Sequence, residues 1–162
     1  KETLTKLVMS LGSKNFVMRY QYNDNIQFLK TLADIEGVTI EAYVPWKKMA
    51  PDLANVAKYF ATRLAYEYAH ASSAKFNSFP PAVRCIRANA MHCMLGPKLT
   101  NPVDLVLAWT ECGSEAITKD TDFKTLGNTG TFITYAKNLN IPFFNIKKDT
   151  SIKNLVEYIK NI

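Results

Sequence analysis

The residues whose types and spacing suit chemistry lie between Val103 and Asn145. Val103-Asp104-Leu105-Val106-Leu107-Ala108-Trp109-Thr110 is an apolar run of strand length. A polar loop follows, then Gly127-Asn128-Thr129-Gly130-Thr131, a helix-like segment, and Ile141-Pro142-Phe143-Phe144-Asn145. Glycines let a backbone approach a ligand closely, and free amides at the start of a helix favour a phosphate or carboxylate. On this reading Gly127, Asn128, Thr129, Gly130 and Thr131 hold a phosphate, Thr129 adding a hydroxyl donor, while Trp109 and Thr110 at the strand end meet the rest of the ligand. A plain tight turn into a helix uses the same residues. What favours the phosphate is position, because parallel sheets bind ligands beyond the carboxyl ends of their strands.

A second set of residues suits nucleic acid. Trp46 and Trp109 are able to stack a base, and Arg19, Lys47, Lys48 and Arg87 supply cations; Lys147 and Lys148 follow a strand and suit phosphate equally. The structural alternatives are a Trp partly buried at a strand end and a solvated basic edge. His92 and Cys93 are adjacent on a helix and point in different directions, so a packing or surface role rather than metal binding is expected of His92. Asp104 reads as a cap or turn residue. Glu115 and Asp120 lie on the long loop and reach acid-base chemistry only if that loop folds over the site.

The whole chain bounds these options. Its 162 residues, 48% of them hydrophobic, suit one domain with a proper core, within the usual ~100–200 residues. A formal charge of +6 favours anionic partners, although a solvated basic surface has the same composition. Cys85, Cys93 and Cys112 are an odd number without a CxxC pair, and His70 and His92 are the only histidines, so neither a disulfide framework nor a zinc site is indicated. A reducing, cytoplasmic compartment is the simpler expectation. No apolar run approaches the ~18 residues needed to span a bilayer, so no membrane partner is expected. No cofactor is implied, and the oligomeric state is left open.

The elements that must position these residues follow in order. Leu4, Leu7, Val8 and Leu11 recur at helical spacing before Gly12, and 15–20 read as a strand. Asn23-Asp24 caps a helix with Ile26, Leu29, Leu32, Ala33 and Ile35, and 38–44 form a second strand stopped by Pro45-Trp46. Pro51-Asp52 introduces a long helix with Leu53, Val56, Ala57, Phe60, Leu64 and Ala65 on one side, ending near 70–73. A helix over 82–95 shows Val83, Ile86, Ala90 and Met94 on one face and stops at Gly96-Pro97. The strand at 103–110, a helix over 129–139, a strand at 141–146 and a final helix capped by Asp149-Thr150-Ser151 complete the chain. Strand, loop, helix and strand over 103–146 require two parallel strands with a crossover.

Taken together, Tyr43-Val44-Pro45-Trp46, Leu95-Gly96, Pro102-Val103-Asp104, Ala108-Trp109-Thr110, Gly127-Asn128-Thr129-Gly130 and Ile141-Pro142-Phe143-Phe144-Asn145-Ile146 resemble the phage-encoded branch of the DprA/LOG-like (SLOG) Rossmann superfamily. The resemblance covers most of the chain. It implies an α/β fold over 1–162, a Rossmann-like three-layer sandwich with a mostly parallel sheet. Relatives bind nucleotides or nucleotide-derived ligands, bind single-stranded DNA, or hydrolyse nucleoside monophosphates. Departures concern the pocket. Relatives carry a glycine-rich segment where this chain has Arg19-Tyr20-Gln21-Tyr22-Asn23-Asp24, and an expected Arg-Asn pair falls on Asn89-Ala90, with Arg87 nearby. The family's first strand and its glycine turn would precede Lys1, so the expectation is either missing upstream residues or a rebuilt sheet.

These departures favour a non-enzymatic protein that has kept the scaffold and binds nucleic acid, single-stranded DNA above all, or another anionic partner. The alternative is an enzyme or sensor for a nucleotide-derived small molecule with its phosphate at Gly127–Thr131. A viral or host protein partner is a third expectation.

Overall fold

The computed structural model describes residues 16–21, 37–46 and 57–161. The expected helices over 3–11 and 23–35, Lys47, Lys48, and the question of a strand within 1–14 lie outside the described residues. The chain divides into two compact units, Lys1–Asn101 and Pro102–Ile162. Every strand pair among the described residues is parallel, so the α/β class holds.

In the first unit β1 (Phe16–Gln21), β2 (Val38–Tyr43) and β3 (Ala57–Tyr59) form a parallel sheet in the order 1-2-3. Phe16 aligns with Val38, Gln21 with Tyr43, and Tyr43 in turn with Tyr59. Then come α1 (Arg63–Ala71), a 3₁₀ turn (Phe76–Ser78) and α2 (Pro81–Leu95). α2 opens with Pro81 at its first position, where a missing N–H costs no helical bond. It ends at Gly96, whose φ of +78° favours glycine, and a Cβ there would lie 3.0 Å from the Arg19 guanidinium. α2 packs on α1, β1 and β2. From Ala88 to Leu95 every residue is buried, so this half of the helix is enclosed all round rather than on one face.

The long helix expected from Pro51 is corrected by the structure. Residues 57–59 are strand β3, and the helix begins only at Arg63, with Thr62 as its N-cap. Tertiary pairing overrides the helical spacing here. The Tyr59 ring stacks 5.1 Å from Tyr43, and its carbonyl accepts from Val44 N at 2.8 Å and from Asn89 Nδ2 at 3.2 Å. Of the expected apolar face, Phe60 and Leu64 are exposed and Ala65 is buried, while Leu53 and Val56 lie outside the described residues.

In the second unit β4 (Val106–Ala108) pairs in parallel with β5 (Phe143–Asn145), Val106 against Phe143 and Ala108 against Asn145. Between them lie α3 (Phe123–Leu126) and α4 (Thr129–Leu139), and α5 (Asp149–Lys160) follows β5. The crossover expected over 103–146 is therefore present. Both strands are shorter than their apolar runs, although Val106 N to Pro142 O and Ile146 N to Ala108 O extend the ladder at each end. Leu126, Ile133, Tyr135, Ala136 and Leu155 are the core of this unit. α4 ends on Asn140, which adopts the left-handed conformation at φ 54°.

The final helix starts at Asp149, with Lys148 in the capping position and no side-chain cap bond. Asp149 therefore favours the helix through its charge at the positive end of the dipole. Ser151, expected as part of the cap, instead donates to Glu115.

Candidate functional site

The carboxyl ends of β4 and β5 are built around Asn145, the last residue of β5 and fully buried. Its Nδ2 donates to Thr110 Oγ1 at 2.7 Å and to the Ser114 carbonyl at 3.0 Å. Its Oδ1 accepts from the backbone amides of Thr110 at 3.3 Å and Lys147 at 3.2 Å. Its own amide donates to Glu115 Oε1 at 2.8 Å, which also takes the Ser151 hydroxyl at 2.6 Å. One amide side chain thus fixes the loop after β4 to the loop after β5. The long polar loop does fold back over the strand ends, and Glu115 serves there as an acceptor for backbone and hydroxyl.

Around this buried hub the loops present their remaining side chains outward. Trp109, one residue past β4, is 60% exposed. The Lys147 ammonium lies 5.7 Å from the centre of its ring, inside the ~6 Å range of a cation–π contact. Lys147 and Lys148 are both exposed. Gly113, with φ +64°, lets the loop pass against the Lys148 stem, since a Cβ there would sit 3.1 Å from Lys148 Cε. Cys112 is exposed beside them, and hydrogen bonds from Ser114 and Thr110 lower its thiol to about 7. Cys93, by contrast, is pushed up to about 12 by burial.

No family model, curated protein or solved structure matches the chain.

The Gly127–Thr131 turn has a structural use. Gly127, at φ +53°, ends α3 and lets α4 begin two residues later, and a Cβ there would meet nothing within 4 Å. Gly130 is buried against Leu126, whose Cδ2 would lie 3.1 Å from an added Cβ. The amides of Gly130 and Thr131 point back to the carbonyls of Gly127 and Asn128, at 3.3 and 3.0 Å. Asn128 stands in the capping position without a side-chain cap bond, Thr129 is half-buried and Thr131 is buried.

The nucleic-acid candidates are dispersed. Arg19 is committed within the first unit: Nε donates to Glu41 Oε2 at 2.9 Å, Nη1 donates to the Asn101 carbonyl at 2.6 Å, and the side chain is 8% exposed. Arg87 is half-buried over the Phe79 ring, 3.9 Å from its centre. Trp46 is exposed just beyond β2. Among the described residues no group of three His, Cys, Asp or Glu side chains is placed to hold a metal ion, and no helix is long and apolar enough to cross a membrane.

Sequence reasoning missed Asn145 as the hub and Cys112 as its exposed neighbour. A signal for the first was available: a lone amide inside the apolar run Phe143-Phe144-Asn145-Ile146 has to find partners if it is buried. For Cys112 none was, because its hydroxyl neighbours act only once the loop is folded.

Proposed function

We propose that this is a non-enzymatic, Rossmann-like phage protein of the SLOG type that binds single-stranded nucleic acid at the carboxyl edge of β4 and β5. The parallel pairing and the alternation of strand and helix support the three-layer sandwich reading, and the motifs from Tyr43 to Ile146 support the family. The observation that carries the function is Trp109, 60% exposed at a strand end and flanked by Lys147. An indole held open by a rigid polar hub stacks on any base, while the lysines meet the phosphates. Stacking of this kind contributes about 1–3 kcal/mol per base and tolerates any sequence. Glu115 has no role as a proton carrier in this reading, since one oxygen already serves Asn145 N and Ser151.

Titration of a Trp46→Phe variant with an oligothymidylate, followed by fluorescence, isolates Trp109 as the reporter. Quenching at low salt that weakens as salt rises is expected, because phosphate contacts release counterions. Trp109→Ala should weaken binding by about tenfold, at the low end of the stacking range. Absence of binding to DNA or RNA at low salt would remove the proposal. Stabilisation by a mononucleotide instead would favour a small-molecule site at Gly127–Thr131, and loss of that stabilisation in Gly130→Trp would locate it.

A further inference from the structure

His92 has no part in the proposed edge. It lies on α2, almost wholly buried, with its ring stacked 6.4 Å from that of Tyr43. Both ring nitrogens are engaged, and each has a partner that acts in one sense only. Nδ1 lies 3.0 Å from the Gly96 carbonyl oxygen, which only accepts, so Nδ1 carries the hydrogen. Nε2 accepts the Thr62 backbone N–H at 3.3 Å, which only donates, so Nε2 presents its lone pair. The Thr62 hydroxyl donates to the same nitrogen at 2.9 Å. These partners hold the ring in its neutral, Nδ1–H form.

Thr62 is the N-cap of α1. Its Oγ1 accepts from Ala65 N at 3.3 Å and its carbonyl from Tyr66 N at 3.2 Å. A single imidazole therefore ties the last turn of α2 to the start of α1. We propose that His92 is an acid-sensitive tether between α1 and α2, closed while the ring is neutral and released when Nε2 takes a proton.

A protonated Nε2 sets N–H against the Thr62 N–H and leaves that amide without its acceptor. It also places a cation where the surrounding groups offer little compensation. From β2, the Glu41 carboxylate already accepts from both Arg19 Nε and the Tyr43 hydroxyl. From β1, the Arg19 guanidinium packs over Gly96, a like charge at the Nδ1 end of the ring. From β3, Tyr59 stacks on Tyr43; on α2 the next residue is the buried Cys93. At the start of α1, Arg63 is exposed and paired with Glu67. An imidazole gains its charge on acidification, so acid is the direction in which the tether opens.

The test is NMR on the full chain between pH 8 and pH 5, following the His92 ring carbons and amide-exchange protection of Thr62, Ala65 and Tyr66. Protection of these amides should fall at least tenfold as the ring titrates, while that of Ile133 and Ala136 stays level. Unchanged protection through the ring titration overturns the proposal. So does a ring that stays neutral until the whole chain unfolds. His92→Gln should abolish the pH response, and its persistence in a folded variant counts against the tether; should that variant fail to fold, the wild-type titration decides. His70→Gln should keep the response, and its loss there would assign the effect to the exposed histidine instead.

Discussion

Two asparagines close the carboxyl ends of the two parallel sheets, one from a helix and one from a strand. Asn89 comes from helix α2 and donates to the carbonyls of Val44 and Tyr59, at the ends of β2 and β3. Gln21 at the end of β1 reaches Ile86 O, and Cys85 reaches Pro45 O, so α2 runs across the whole edge. Asn145 is a strand residue that gathers the loops around itself and leaves their other side chains facing out. A helix laid across an edge occupies the place where a ligand would sit. A strand-end hub fixes loops and leaves them available, with Trp109, Lys147 and Cys112 on the outside.

Asn145→Ala should have the largest effect. Several buried donors and acceptors lose their partner at once, and a loss of about 4 kcal/mol in urea unfolding is expected, since each orphaned group costs about 1–3 kcal/mol. A loss below about 1 kcal/mol would mean that the loops hold themselves. Arg19→Met probes the covered sheet. It strands the Glu41 carboxylate, 19% exposed, and should cost about 3 kcal/mol in the same measurement while leaving oligonucleotide affinity unchanged. An affinity loss without a stability loss would return Arg19 to the binding surface.

Asn89→Leu should cost less, about 2 kcal/mol, because its single side-chain oxygen is already buried without a partner and only two donated bonds are lost. Faster amide exchange near Val44 and Tyr59 would localise that change. Gly127→Ala should cost about 1 kcal/mol from backbone strain alone, since the space around it is open. If the turn is purely structural, oligonucleotide binding survives this substitution; abolished binding would move the site to the turn. The smallest effect concerns Cys112, whose alkylation rate should rise through about pH 7 as its lowered thiol ionises. The thiolate form gains with rising pH, so the rate falls on acidification, and mass spectrometry should find Cys93 unmodified under the same conditions.

Several features were legible in the chain. Val38–Tyr43, Pro81–Leu95 with its Gly96 stop, Thr129–Leu139 and the parallel return from β4 to β5 followed from patterns confined to a few neighbouring residues. For His92 the chain left packing and surface roles both open, and its burial beside Tyr43, with bonds to Thr62 and Gly96, depended on the fold. The candidate site was less legible. Position alone pointed to the strand ends, but the ordering of Thr110, Glu115, Asn145 and Ser151 depends on residues more than thirty positions apart.

Helix periods, proline and glycine stops, strand-length apolar runs and a basic balance are local properties, written in neighbouring residues or in composition. The tertiary structure decided what propensity cannot rank. It made Ala57–Tyr59 a strand because Glu41–Tyr43 offered a partner, and turned Arg19 inward because Glu41 and Asn101 accept from it. It also left Trp109 exposed because Asn145 satisfies the loop polar groups that would otherwise have needed other partners. Local preferences amount to fractions of a kcal/mol per residue, whereas a buried group without its partner costs about 1–3 kcal/mol, so long-range pairing wins wherever the two disagree.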